Sequence, residues 1–195
     1  KNKATPSGEV LPGDLKAIFE SPQTTHFSVA DKSQNMVSCT TTLNFSYGMR
    51  AVARGTGILY NNQMDDFSSK PGSPNAYGLI GSEFNSIAPE KRMLSSMTPV
   101  IAIKDGKAVL ATGSPGGSRI ITTVAQFLIG HLKEQQNIAV STSAVRVHHQ
   151  WVPDILYHER GLSLDTRLAL ESFGHMLKET RAMGSLQSVS YKNGL

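Results

Sequence analysis

The chain has one cysteine, Cys39, in 195 residues. That excludes an internal disulfide and any cysteine-cluster metal site, and the strand-like surroundings of Cys39 suit a buried structural thiol better than a reactive one. There is no run of Lys or Arg. The net charge of +4 is scattered, so neither nucleic acid nor a membrane is an expected partner. No apolar stretch reaches the roughly 18 residues of a membrane-spanning helix. The opening KNKATPSGEV has no apolar h-region, so no signal peptide is expected there, and such a start suggests a chain whose true beginning lies elsewhere. Internal repeats and low-complexity tracts are lacking as well. What remains is ordinary globular composition, 39% hydrophobic and 17% charged. It suits one domain, or one large part of a two-chain domain, with a real core.

Residues 1–23 carry breaks at Pro6-Ser7-Gly8 and Pro12-Gly13 and read as extended coil with at most one helical turn. THFSVAD and MVSCTTTL, with DKSQN between them, read as a hairpin. A turn centred on Ser33 sets Val29 opposite Val37, Phe27 opposite Cys39 and Thr24 opposite Thr42. One face is then apolar (Phe27, Val29, Val37, Cys39) and the other small and polar (Thr24, His26, Ser28, Ser38, Thr40, Thr42). GILYNNQ reads as a short strand running into MDDF. Residues 68–82, dense in Ser, Pro and Gly, form a long loop whose one aromatic is Tyr77, and such loops inside compact domains are usually functional or disordered.

PVIAIK and KAVLAT flank Asp105-Gly106, a strong hairpin signal. GSPGGSR and a helix of about three turns, starting near Ser118 or Arg119, come next. A short helix and strand over 138–147, a strand ILYHE, a helix from Ser163 to Phe173 stopped by Gly174, and a last strand LQSVSY complete the reading. Strand pairs alternating with helices suggest α+β or layered α/β with mostly antiparallel sheet.

Thr24 is the residue with the most chemistry to offer. A threonine hydroxyl needs a neighbouring base to act as nucleophile. A free α-amine titrates near pH 8, so a threonine made chain-terminal by cutting the Gln23–Thr24 bond carries a matched base on itself. The register brings the hydroxyl of Thr42 within reach. A plain sheet with one wet face fits the same pattern, and periodicity alone favours it.

Three more clusters are candidates. GSPGGSR, residues 113–119, offers glycines at a helix start, suited to an oxyanion hole, an anion site or simply a tight turn. NNQMDDF, residues 61–67, offers amides and carboxylates that can hold a primary ammonium, bind Ca²⁺ or merely face solvent. Ser95-Ser96 in KRMLSSMTP can hold a carboxylate, although exposed serine pairs are common. The adjacent His148-His149 point to opposite strand faces and suggest no metal site.

These pieces join in one resemblance. NKATPSGEV, ESPQTTHFSVAD, TTTLN, GILYNNQMDDFSSKPG, PNAYGL, KRMLSSMTP, GSPGGSRIITTV and HHQWVPD occur in order and nearly without gaps. From about Asn2 onward the chain resembles the bacterial γ-glutamyltransferase (γ-glutamyltranspeptidase) family of N-terminal-nucleophile hydrolases. The resemblance implies an α+β fold, a four-layer αββα sandwich. It implies that residues 1–23 are the tail of a large subunit and residues 24–195 most of the small one, lacking its last segment. The precursor would cut itself between Gln23 and Thr24. Thr24 would then attack the γ-carbonyl of glutathione or a related compound, forming a γ-glutamyl ester that water or an amino acid or peptide acceptor resolves. Thr42 matches the hydroxyl bonded to the nucleophile, and Gly116 and Gly117 the oxyanion-hole amides. Asn44, Gln63 and Asp66 match the groups on the α-ammonium, Ser95 and Ser96 those on the α-carboxylate, and Tyr77 the aromatic of a lid. The resemblance implies no metal or cofactor, a large-subunit partner, and a periplasmic or secreted location. The alternatives are another N-terminal-threonine amidase (a poly-γ-glutamate or β-lactam side-chain acylase) and a non-catalytic, unprocessed fragment.

Overall fold

A computed structural model describes residues 24–75 and 78–191. The expected coil over 1–23, with Gln23, and the lid aromatic Tyr77 lie outside the described residues. Strands β1 (Thr24–Ala30) and β2 (Met36–Thr42) form the first hairpin. Their register pairs Thr24 with Thr42, Phe27 with Cys39 and Val29 with Val37, as the turn position predicts. Asp31 closes that turn: its carboxylate accepts the N–H groups of Ser33 at 2.8 Å and Asn35 at 2.9 Å, and the Asn35 side-chain amide at 2.8 Å.

Strands β3 (Val100–Lys104) and β4 (Lys107–Thr112) form the second hairpin. Asp105 and Gly106 both adopt positive φ at its tip, 51° and 76°, as a two-residue type I′ connection requires. Helix α1 (Arg119–Leu128) follows and runs into a π-helical turn, Ile129–Lys133. Then come α2 (Ile138–Ser143), β5 (Val147–His148), β6 (Leu156–Glu159), α3 (Leu164–Ser172), β7 (Leu177–Thr180) and β8 (Val189–Ser190). The sheets are β1-β2, β3-β4-β8 and β5-β6-β7.

The layers stack hairpin, sheet, helix. Ile120, Val124 and Phe127 of α1 close on Val109, Leu110 and Leu186, the hydrophobic core, where Leu110 is fully buried. Burying side chains of this size contributes ~1.5–3 kcal/mol each. The contact between the first hairpin and β3-β4-β8 is polar instead. Ser38 Oγ donates to the Thr112 carbonyl and Ser28 Oγ to the Gln187 carbonyl, each at 2.8 Å, while Thr112 Oγ1 is itself engaged 2.6 Å from Ser188 Oγ on the sheet side. His26, 5% exposed, fills the space over Gly113, where a Cβ would come within 2.2 Å of the ring. The hairpin thus turns its hydroxyl face inward, while Phe27, Val29 and Val37 stand half-exposed on the outside.

Three elements differ from the sequence reading. GILYNNQ is no strand. Positive φ at Gly48, Arg50, Gly55 and Gly57 bends this region, so it folds back on residues 49–53 through the single bridge Val52–Leu59 and then enters a 3₁₀ turn, Gln63–Asp66. Strand β7 has no hydrophobic alternation in LKET to announce it, yet it pairs parallel to β6. The final strand shrinks from LQSVSY to Val189–Ser190.

Candidate active site

One cleft gathers residues from five separate stretches of the chain. Thr24 and Thr42, Asn44, Gln63 and Asp66, Ser95 and Ser96, and Gly117 all line it. Gly116 is buried beside it. Of the residues singled out from sequence, only Gln23 and Tyr77 go unplaced, both outside the described residues.

The hairpin ends supply the first pair. Thr24 Oγ1 donates to Thr42 Oγ1 at 3.4 Å, and Thr42 Oγ1 also accepts the Asn44 N–H at 2.9 Å. The Thr–Thr distance is longer than a tight O–H···O bond, as reactive groups commonly are before substrate draws them together. Asn44 is 3% exposed with φ 74°, a left-handed conformation asparagine tolerates better than most residues. Asn62 holds it there. The Asn62 carbonyl accepts from Asn44 Nδ2 at 3.2 Å, and the Asn62 side-chain oxygen accepts the Phe45 N–H at 3.1 Å.

The 3₁₀ turn brings Gln63 and Asp66 onto one side, where Gln63 Nε2 donates to an Asp66 carboxylate oxygen. Burial pushes the Asp66 carboxyl above its ordinary pKa. The Gln63 bond opposes that shift, and the Asp65 charge adds to it. A positively charged group entering the cleft reverses the cost of that buried charge. Across the cleft Ser95 Oγ accepts the Met97 N–H at 3.1 Å, and the Ser96 carbonyl accepts from Thr98 Oγ1 at 2.9 Å. Among the described residues, neither serine hydroxyl donates a hydrogen bond. Gly81 backs the cleft by leaving room for Ser68, since a Cβ there would lie 1.6 Å from Ser68 Oγ.

At the start of α1, Gly116 and Gly117 adopt φ 140° and 58°, a conformation L side chains resist. Among the described residues their N–H groups find no acceptor within the chain, which is what a site for a developing oxyanion requires. Gly184 packs against this loop so tightly that a Cβ on it would lie 2.6 Å from Ser114 Oγ and 3.0 Å from the Pro115 carbonyl oxygen. Ser114 Oγ accepts the Ser185 N–H at 2.9 Å and Thr123 Oγ1 donates to the Met183 carbonyl at 2.8 Å.

His148 serves this loop indirectly. Gln150 Oε1 can only accept, and it takes hydrogen bonds from Ser118 Oγ at 2.8 Å and His148 Nε2 at 3.0 Å. His148 therefore carries its proton on Nε2, and Nδ1 lies 2.8 Å from Thr122 Oγ1. Burial holds the imidazole below its usual pKa. His149 turns away and lies 3.1 Å from an Asp154 carboxylate oxygen. Among the described residues no three His, Cys, Asp or Glu side chains cluster as metal ligands, and no helix is long and apolar enough to cross a membrane.

The family profile described as Gamma-glutamyltranspeptidase matches residues 1–194. The chain belongs to the γ-glutamyltranspeptidase family. It is 55% identical over 188 residues to the glutathione hydrolase proenzyme of Escherichia coli, covering 96% of this chain and 32% of that protein. With the glutathione hydrolase proenzyme of Pseudomonas aeruginosa it shares 43% over 189 residues, 95% of this chain and 33% of that one. The solved T380A mutant of Helicobacter pylori γ-glutamyltranspeptidase superposes with a TM-score of 0.83 at 46% identity, covering 87% of this chain and 94% of that chain. The chain spans about a third of the length of the curated relatives it matches. Its fold is accordingly that of the γ-glutamyltranspeptidases, α+β and of the N-terminal-nucleophile type.

Sequence reasoning missed the supports of the site. His26, Asn62, Asn85, Gln150 and Gly184 touch partners far away in the chain, and no periodicity marks such contacts. His26, Asn62 and Gln150 sat inside stretches already singled out, but not as supports.

Proposed function

We propose that this chain is the catalytic part of an enzyme that transfers and hydrolyses γ-glutamyl groups of glutathione and related compounds. The observation that supports it most is the shared cleft: paired threonine hydroxyls, an acidic and amide-bearing side, a serine-bearing side and a free-amide glycine loop converge on one volume. A glutamyl group is zwitterionic at its α-carbon, and these two sides suit its ammonium and its carboxylate respectively.

In this reading residues 1–23 end a large subunit and residues from 24 onward form most of the small one. Cleavage between Gln23 and Thr24 frees the α-amine of Thr24. That amine takes the proton of the Thr24 hydroxyl as Oγ1 attacks the γ-carbonyl carbon. The tetrahedral oxyanion accepts hydrogen bonds from the Gly116 and Gly117 amides. The protonated amine then delivers its proton to the departing nitrogen, leaving a γ-glutamyl ester on Thr24. Water, an amino acid or a peptide amine, deprotonated by the same base, attacks the ester and restores the hydroxyl. Asn44, Gln63 and Asp66 bind the α-ammonium, Ser95 and Ser96 the α-carboxylate, and Thr42 orients the nucleophile. Tyr77 covers the bound donor as part of a lid.

The large-subunit partner is supported by the bare outer face of the first hairpin. Phe27, Val29 and Val37 are 45%, 52% and 51% exposed there, where an αββα sandwich carries its remaining helical layer. A periplasmic or secreted location goes with the family reading. The test is Thr24→Ala in the full-length precursor. The variant keeps its fold, stays uncut by mass spectrometry, and turns over no γ-glutamyl anilide, whereas wild type yields a polypeptide beginning at Thr24. Residual turnover above background refutes the role of Thr24.

A further inference from the structure

We propose that Asn85 is a positioning residue that sets the separation between the ammonium-binding and carboxylate-binding sides of the cleft. This rests on the γ-glutamyl reading above and deepens it. Asn85 ends a short 3₁₀ turn, Glu83–Asn85, and lines the cleft. Its side-chain amide reaches both sides at once. Nδ2 donates to the Asp66 carbonyl at 2.8 Å, and Oδ1 accepts the Leu94 N–H at 3.0 Å, one residue before Ser95. Its own main-chain carbonyl accepts the Ser68 N–H at 2.9 Å, a second tie to the Asp66 side.

The serine pair depends on this tie. Residues 91–99 have no regular secondary structure, so no ladder or helix holds them. Among the described residues, the Leu94 N–H is the only main-chain group between 92 and 96 bonded to another segment. Asn85 therefore supplies the hydrogen bond that joins this stretch to the turn that carries Asp66.

The position calls for asparagine. One planar group must donate in one direction and accept in the other, at the reach of a single methylene. Aspartate keeps the acceptor for Leu94 but sets an oxygen against the Asp66 carbonyl. Glutamine has both functions one bond too far out, and alanine has neither. Flipping the amide would face oxygen to oxygen and N–H to N–H, so the network also fixes its orientation.

The separation of the two sides matters to a donor held at both ends, and not to self-cleavage, where no free glutamyl α-ammonium or α-carboxylate takes part. In the full-length precursor, Asn85→Ala should cleave at Thr24 at the wild-type rate. Its KM for a γ-glutamyl anilide should rise about tenfold, as the loss of two ordinary hydrogen bonds implies, with kcat falling by less than KM rises. The penalty for removing the donor's α-carboxylate, measured with a 4-aminobutyryl anilide, should shrink in Asn85→Ala and stay reduced in Asn85→Asp, which still accepts from Leu94 but sets an oxygen against the Asp66 carbonyl. An unchanged KM in Asn85→Ala overturns the proposal, as does a loss of self-cleavage parallel to the loss of turnover in both variants. Failure of wild type to cleave or to turn over the anilide instead strikes the γ-glutamyl reading itself.

Discussion

Replacing Asp66 by Asn separates what this carboxylate does for binding from what it costs the fold. The substitution keeps size and one acceptor for Gln63, and removes the charge. A charge-assisted hydrogen bond contributes ~1.5–3 kcal/mol, which is roughly tenfold to a hundredfold in affinity at ~1.4 kcal/mol per decade. Asp66 is only partly buried, so water screens the contact and the lower end applies: KM for a γ-glutamyl anilide should rise about tenfold. Stability should move the other way. Burial raises the Asp66 pKa in the folded state, so the folded protein binds the proton more tightly than the unfolded chain does. The stability this gives is present below the ordinary carboxylate pKa and lost as pH climbs through the raised one. At neutral pH wild type bears the full cost of the buried charge, and Asp66→Asn does not. The variant should therefore melt no lower than wild type at pH 7. The same titration predicts that wild-type kcat/KM carries, below the limb imposed by protonation of the Thr24 amine, a lower acid limb displaced upward from the ordinary carboxylate pKa, and that Asp66→Asn loses this lower limb. Steady-state kinetics from pH 4 to 8 (about the carboxylate-to-neutral window) and thermal melts on one preparation decide it. A wild-type KM in the variant, or an unaltered lower acid limb, refutes the ammonium-binding role, and a marked drop in melting temperature refutes the assigned cost of burial.

Two further substitutions probe the scaffold. Gly113→Ala places a Cβ 2.2–2.8 Å from the His26 ring, which Thr40 at 2.7 Å and Ser28 at 3.0 Å hold in place. It should cost ~1–3 kcal/mol in urea unfolding, and His26→Ala in the same chain should remove most of that cost; additive losses would show that the two do not press on each other. Glu159→Ala strands the largely enclosed Arg146 side chain, its partner at 3.0 Å, and frees the Met183 N–H now held at 2.6 Å. A loss of ~3–5 kcal/mol is expected, and a change under ~1 kcal/mol would mean the pair is not closed to water in solution.

The hairpin and the helix start were readable because each is decided locally. Two-residue alternation and a five-residue turn fix which residues of β1 and β2 face one another, so Thr24 and Thr42 could be paired by counting. The direction that face takes could not. Alternation distinguishes a polar side from an apolar one, and the usual expectation puts the polar side in water. Here the polar side is inward, because the Thr112 and Gln187 carbonyls offer it acceptors, and the apolar side is left over for whatever completes the sandwich. β7 escaped for the opposite reason: LKET has no pattern, and only β6 makes it a strand.

The site divides along the same line. On the proposed reading some residues meet a small zwitterion and must be of particular chemical types, so Gln63, Asp66, Ser95 and Ser96 stood out by composition and family likeness, even though composition alone favoured bland readings, and Asn44 by family likeness. Residues that hold those in place need only reach the right backbone atom. Asn85 meets Asp66 and Leu94 across gaps in sequence that no local rule spans, and Glu159 meets Met183 likewise. Such supports are visible only once the chain has been folded. They also make the sharper mutational targets, because their loss changes the geometry of binding without removing a group that touches the donor.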